Sequence, residues 1–462
     1  MAGTKVTQMA MPSQRGEARL SAEGLAANLV RRIDRLALPE AALVSVTLAV
    51  PDLAGLARLP AMAEPWSWQR PSEGLALIAW GCAHSVAPPD TAGLAAAYHG
   101  LDWAHLDVDD GGAEPVAFLG HGFGGADALD FPPALLRVPL LALRRRGERC
   151  ELILSHRGGV GPARIRAAWG EALEDFAQAL VAPPLAAVPV LPRRVEEIPS
   201  PALYRQRVRT ATQAIAAGRL EKVVLSRRIL VEASRPLRPE RLVEALVERH
   251  PSCAILTAGL DGRTLVAASP ERLVACQGRD VGSYALAGTA PSDPADPFLG
   301  GRLLSGAKDR HEHRLVVEWI SEALAGLCDS LDVPAEPRRM GLGRLEHLWT
   351  PITGRLKPGA GLLQAAARLH PTPAVAGLPL GEARALLAEL GESRAGWYSG
   401  AFGWIDRAGD GEMAVVLRCA VLDGDRALLS AGGGIVAASE PEAEFAETEL
   451  KLGTMLEALR RA

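Results

Sequence analysis

The stretch PALYRQRVRTATQAIAAG, residues 201–218, is followed at once by EKVVLSRRILVEA, residues 221–233. The first segment reads as a helix that stops at Gly218, a usual C-terminal terminator. The second reads as a strand in which Val223, Leu225 and Arg227 alternate against Val224 and Ser226. The same pairing of helix and strand recurs on both sides. LAANLVRRIDRLAL precedes ALVSVTLAV within residues 21–58, and RPERLVEALVER precedes CAILTAGL, TLVAAS and RLVACQG. PLLALRRRGERCELILSH reads as a hairpin turning at Arg146-Gly147, and ARIRAAWGEALEDFAQAL (163–180) as a helix. Further on, a helix is expected from about Asp309 to Asp329, and helices at LLQAAARLHP and GEARALLAEL. GWYSGAFGWID, EMAVVLRCAVLD and RALLSAGGGIV each read as one strand, and a last helix runs from Pro441 to the end. Antiparallel strands mixed with peripheral helices indicate an α+β fold. The proline-rich VAPPLAAVPVLPRR (181–194) reads as irregular and separates an N-terminal region from the rest.

Composition narrows the function. The chain has 462 residues, 48% apolar and 23% charged, as expected of a globular protein, with a net charge of -4. It lacks the basic footprint of a nucleic-acid binder. No apolar run approaches the ~18 residues of a membrane span, and the first twenty residues carry no apolar secretion core, so a cytoplasmic protein is expected. The six cysteines are scattered without a CxxC pair and read as small apolar filler. Only five of the 50 basic residues are lysine: Lys5, Lys222, Lys308, Lys357 and Lys451. Arg holds its proton at every accessible pH, so a buried Lys in such a chain is a candidate for chemistry that Arg cannot perform.

Three signals carry chemistry. Asp309 and Glu312, and likewise Glu444 and Glu447, stand three apart on expected helices and so share a face. Such all-oxygen sets suit Mg²⁺, although a single acidic pair more often marks a solvated face. His311 and His313 lack the i, i+4 spacing of a zinc protease, and AGGGIV (431–436) lacks nucleotide-loop spacing while offering backbone N–H groups to a carboxylate. Lys222 enters an apolar strand between Leu220 and Val223–Leu225, where desolvation favours the neutral amine that a general base needs; a lone strand lysine otherwise snorkels to solvent. Glu271, in AASPERLVAC, follows a Ser-Pro bend at a strand start, where a raised pKa makes a carboxyl a general acid.

Together these signals resemble the chorismate-utilising enzymes, and within them the isochorismate synthases. The matching text is LEKVVLSRR (220–228), ASPERLV (268–274), YALAGTA (284–290), KDRHEHRLVVE (308–318), LEHLWTPITG (345–354), LHPTPAVAGLP (369–379), WYSGAFGW (397–404), VVLRCAVL (415–422) and AGGGIVAASEPEAEFAETELKL (431–452). It spans about 200–462, and the N-terminal half matches weakly through AWGCA (79–83). The resemblance implies large, mostly antiparallel sheets forming a central sandwich with peripheral helices. Residues 196–462 would be the catalytic domain and 1–195 a region extending its sheets. It further implies Mg²⁺ on Glu312 and Glu447 with Asp309 and Glu444 beside them, Lys222 as the base activating water for attack at C2 of chorismate, and Glu271 as the acid protonating the departing C4 oxygen. Arg418 and Tyr398 would take the enolpyruvyl carboxylate, with Gly432, Gly434 and Lys451 completing an anion cradle and Gly288, Thr289 and His347 lining the site. Asp309 is shorter than the Glu some relatives carry.

Within the family, aminodeoxychorismate-forming enzymes carry a nucleophilic Lys where this chain has Ala287, and anthranilate synthases have a non-basic residue at position 222. Water needs a base and ammonia does not, so isochorismate formation without a glutamine amidotransferase subunit is the expectation. Salicylate synthases share the base and also eliminate pyruvate. They tend to carry a hydroxyl residue where this chain has Ala374, which leans toward stopping at isochorismate. A chorismate-binding protein without turnover is a further alternative, and the complete catalytic set speaks against it. The product would feed menaquinone or siderophore biosynthesis.

Overall fold

The computed structural model describes residues 14–51, 64–109, 111–124, 131–181, 190–291, 301–342, 345–394 and 396–461. They form two large sheets, antiparallel throughout except where Leu43–Val50 runs parallel to Trp103–Asp107. From one edge, the larger sheet runs Arg193–Ile198, Lys222–Glu232, Arg426–Ile435, Cys419–Asp423, Arg263–Ser269 and Ala254–Leu260. It continues through Trp66–Arg70, Leu75–Trp80, Leu141–Arg146, Arg149–Arg157 and Leu43–Val50 to Trp103–Asp107. The smaller sheet holds Cys328–Asp332, Leu345–Leu356, Asp280–Pro291, Arg272–Gln277, Gly411–Val415, Ala401–Asp406, Val116–His121, Ala134–Val138 and His84–Val86. Strands from before residue 160 thus pair with strands from after 250 in both sheets, as Trp66–Arg70 does with Ala254–Leu260 and Val116–His121 with Ala401–Asp406.

An aromatic layer fills the space between the sheets. Trp66 of the larger sheet meets Phe118 and Phe402 of the smaller one, each at a ring-centroid distance of 5.8 Å. The Trp66 indole N–H donates to the Gly259 carbonyl at 2.8 Å, which satisfies its one polar atom in a dry core. Amphipathic helices cover the outer faces: Pro239–Arg249 buries Leu242, Val243, Ala245 and Leu246, and Pro162–Val181 buries Ile165, Trp169, Leu173 and Phe176. Because both faces of the central strands are covered, several read as unbroken apolar runs with no alternation.

That loss of alternation explains where sequence and structure differ. EMAVVLRCAVLD is two strands, Gly411–Val415 in the smaller sheet and Cys419–Asp423 in the larger, and the chain crosses between them at Val416–Arg418. A run buried on either side of a crossing carries no period to reveal it. The helix expected over 309–329 spans Ala307–Ala325 and is capped at Gly326, after which Cys328–Asp332 pairs with Leu345–Leu356. In GWYSGAFGWID the strand begins only at Ala401, behind a turn in which Ser399 has φ 61°. Arg193 and Arg194, expected to be irregular, open the edge strand Arg193–Ile198; most of that stretch, 182–189, lies outside the described residues. Five of the cysteines are buried and Cys82 is exposed. Among the described residues no helix is long and apolar enough to cross a membrane.

Candidate active site

Two crossings between the sheets build the site. After Arg263–Ser269 the chain passes through Pro270 and Glu271 into Arg272–Gln277 of the other sheet. The second crossing, at Val416–Arg418, lies against it: Val415 N–H donates to the Glu271 carbonyl at 3.0 Å, and Ala268 N–H to the Arg418 carbonyl at 3.1 Å. Glu271 and Arg418 therefore project from a doubly anchored seam into one cavity. The lysine strand Lys222–Glu232 and its neighbour Arg426–Ile435 form a second wall, and the acidic helices Ala307–Ala325 and Pro441–Leu459 a third.

Lys222 is 1% exposed, and its ammonium donates to Glu312 Oε1 at 2.7 Å. Gly434, across the ladder from Val224, makes room for this pair. A Cβ there would stand 2.8 Å from Lys222 Cε and 3.1 Å from Glu312 Oε1. Gly432 likewise admits the Tyr398 hydroxyl, which would lie 2.8 Å from a Cβ. Lys451 donates to the Gly432 carbonyl at 2.9 Å and pairs with Glu447 at 2.8 Å, one helical turn away. Gly432 and Gly434 are thus required by close approach of neighbouring atoms, whereas Gly288, which also lines the cavity, has a φ of 75°.

Burial drives the electrostatics. It pushes the Glu271 carboxyl up to about 7, against the opposing pull of the Thr372 hydroxyl and of Lys222 and Lys451. Burial also raises the Tyr398 phenol, so it stands as a neutral O–H donor. His347 is held down to about 3, by burial first and then by Arg418. Its bonding fits the neutral ring: Nδ1–H donates to the Gly288 carbonyl at 3.1 Å, leaving Nε2 to accept from Arg418 at 3.2 Å. His347 thereby fixes the guanidinium and the Gly288 backbone together.

Every residue expected from the sequence lines this one cavity apart from Thr289, which pairs with His347 on the adjoining strand and whose side chain is outside the described residues. Ala374 sits in the wall beside Val375. Two partners escaped the sequence reading. Thr372 hydrogen-bonds Glu271, and Arg394 donates to the carbonyls of Val375 and Val224. Thr372 lies within the quoted HPTPAV motif, which is the signal that singles it out.

The donor set around the acidic helices is carboxylate oxygen from Asp309, Glu312, Glu444 and Glu447. Among the described residues no three ligand-type side chains already converge around one point. The set nonetheless fits a hard divalent ion in kind, being all carboxylate oxygen: the ammonium groups of Lys222 and Lys451 sit on Glu312 and Glu447 where a cation is favoured, and a Cβ at Gly433 would crowd Glu444 Oε2 at 3.3 Å. The cavity's five carboxyl groups, Glu271 included, outnumber its two lysines and one arginine, so an anionic ligand would bind there only with a cation on the acidic helices beside Lys451, Arg418 and the backbone N–H groups.

Comparison with known proteins agrees with this geometry. The solved menaquinone-specific isochorismate synthase MenF of Escherichia coli superposes with a TM-score of 0.80 at 25% identity, covering 95% of this chain and all of that one. The salicylate biosynthesis isochorismate synthase of Pseudomonas aeruginosa is 33% identical over 410 residues, 85% of this chain and 84% of that protein. Isochorismate synthase DhbC of Bacillus subtilis is 38% identical over 276 residues, 57% of this chain and 69% of its own length. Residues 30–460 match the family described as chorismate binding enzyme. A match over nearly the whole length leads to one conclusion: the chain belongs to the chorismate-binding enzymes.

Proposed function

We propose that this chain is an isochorismate synthase, interconverting chorismate and isochorismate with Mg²⁺. The observation that carries the reading is that a buried amine, Lys222, and a carboxyl titrating near 7, Glu271, line one cavity from two different walls. Isomerisation by addition and loss of water needs a base on one side of the ring and an acid on the other. Lys222 takes a proton from water as its oxygen bonds to C2. The two ring double bonds each move by one bond, and the C4–O bond breaks as Glu271 hands its proton to the departing hydroxyl, which leaves as water. Solvent returns the proton from the lysine side to the glutamate, so each turnover is balanced. For Lys222 to accept a proton the amine must be neutral, so its ion pair with Glu312 has to open.

Arg418 and Tyr398, which line the cavity, would take the enolpyruvyl carboxylate, with Lys451 and the N–H groups around Gly432 and Gly434 beside them. Glu312 and Glu447 would hold Mg²⁺, with Asp309 and Glu444 adjacent; when bound, the ion neutralises the ring carboxylate and the charge that develops during C–O cleavage. Water as nucleophile makes an ammonia-delivering subunit unnecessary. Similar proteins are named as a menaquinone-specific and a salicylate biosynthesis isochorismate synthase, and here the product would feed menaquinone or siderophore biosynthesis. Purified protein with chorismate and Mg²⁺ should form isochorismate reversibly, and EDTA should abolish it. Chorismate consumption only with added ammonia would refute the water reading, and stoichiometric pyruvate would make the chain a salicylate synthase.

A further inference from the structure

We propose that Thr372 is a positioning residue that decides which oxygen of the Glu271 carboxyl delivers the proton. Its hydroxyl donates to Glu271 Oε1 at 3.2 Å, and among the described residues it is the hydrogen-bond partner of that carboxyl. Both residues are buried, Thr372 at 3% exposed and Glu271 at 6%. A carboxylic acid carries its proton on the oxygen that is not accepting from a donor, so a hydroxyl fixed on Oε1 assigns the proton to Oε2. The same donor then stabilises the carboxylate left when the proton has moved to the departing oxygen.

The donor is held rigidly. The Thr372 carbonyl accepts from the N–H groups of Val375 and Ala376, at 3.1 and 3.0 Å. Arg394, 8% exposed, ties that turn to the lysine strand by donating to Val375 O at 2.5 Å and to Val224 O at 2.8 Å, and Val224 N–H closes the loop on Ala376 O at 3.0 Å. On the other side Glu271 N–H donates to Ser269 Oγ, and Tyr284 donates its hydroxyl to the Pro270 carbonyl at 2.7 Å. The turn that carries Thr372 is thus bonded directly to the strand that carries Lys222, so the donor for the acid keeps a fixed distance from the base.

The charged groups facing Glu271 are Lys222 from the lysine strand and Lys451 from the last helix, with Arg418 on the seam, neutral His347 on the strand Leu345–Leu356 and the four carboxylates of the acidic helices also lining the cavity. All of these stay in place when the Thr372 hydroxyl is removed. This inference rests on Glu271 being the acid of the proposed reaction. The experiment measures pH profiles of chorismate turnover for wild type, Thr372→Val and Thr372→Ser. In Thr372→Val, kcat should fall about tenfold with KM within about twofold, because the bond orients the acid and does not bind substrate. Loss of a donor to the carboxylate raises the carboxyl further, so the basic limb of kcat/KM should move up by about one pH unit. Thr372→Ser should restore both, and in a Glu271→Gln background Thr372→Val should leave the residual rate unchanged. If Thr372→Val does not fold, Thr372→Ala carries the same measurement. An unmoved basic limb, or a loss of kcat that persists in the Glu271→Gln background, overturns the role given to Thr372. A wild-type protein that does not isomerise chorismate overturns the proposed function instead.

Discussion

Replacing Glu271 by Gln should make the protein slower and more stable at the same time. The carboxyl is buried and titrates near 7 instead of 4.5, chiefly because burial disfavours its charge. The sign follows from linkage: stability present below the unfolded value near 4.5 is lost as pH rises through the folded value near 7, since the unfolded chain releases the proton first. The complete loss is about 3 kcal/mol, and about 2 kcal/mol of it falls between pH 5.5 and 8.5. Gln keeps the shape and a carbonyl for Thr372 to donate to, and it has no charge to bury. Denaturant melts at the two pH values should therefore show the Gln variant gaining on wild type by about 2 kcal/mol at the higher pH. Asp406, pushed up to about 6, and Glu392, also raised by burial, titrate in both proteins and cancel. Turnover should meanwhile fall about 10²- to 10⁴-fold, the usual worth of a general acid, and the steep wild-type decline above pH 7 should vanish from the residual rate. Equal stability of the two proteins at pH 8.5, or a variant retaining a third of the wild-type rate, would show that the carboxyl is neither buried in charge nor the acid.

Lys222→Ala should abolish isomerisation while isothermal titration still shows chorismate binding within about tenfold of wild type, because base catalysis and anion recognition reside in different groups. An unchanged rate would remove Lys222 from the chemistry. Gly434→Ala places a methyl 2.8 Å from Lys222 Cε and 3.1 Å from Glu312 Oε1. It should cost about 1–3 kcal/mol of stability by overpacking and lower kcat more than tenfold, and near-wild-type kinetics would show that the pair has slack.

The site was legible from the sequence where chemistry requires an unusual residue in a usual place. In a chain that spends its positive charge on arginine, Lys222 inside VVL and Lys451 in the last helix stand out, and both reach the cavity. The acidic pairs Asp309/Glu312 and Glu444/Glu447 needed only helical spacing to be placed on one face each, and that spacing held. The Ser-Pro bend before Glu271 marked the end of one strand and the start of the next. What the sequence did not carry was which sheet each strand joins. Both flanks of Val416–Arg418 are buried, so the apolar run has no alternation to break. Thr372 was equally hidden, because a threonine earns its role from the carboxyl opposite it and not from its neighbours in the chain.

The crossing at Arg418 leaves a mark in the backbone that makes it testable. Arg418 has φ 47°, in the left-handed region that disfavours any residue with a Cβ. Glycine would be the unstrained choice for a bend between two sheets, yet the position holds a buried arginine whose guanidinium reaches His347 at 3.2 Å. The strain is retained because the bend is what aims the side chain into the cavity, while the Ala268–Arg418 and Val415–Glu271 backbone bonds hold the seam shut. Two substitutions separate these effects. Arg418→Ala removes the guanidinium and keeps the strain; Arg418→Gly removes both. Each should raise the KM for chorismate by a similar factor, since each loses the same donor. Arg418→Gly should nonetheless be the more stable of the two in denaturant melts, by about 1 kcal/mol net of the extra chain entropy that glycine brings to the unfolded state. If Arg418→Ala is as stable as Arg418→Gly, the backbone there is relaxed. The arginine would then owe its place to binding alone, not to a bend that binding has imposed.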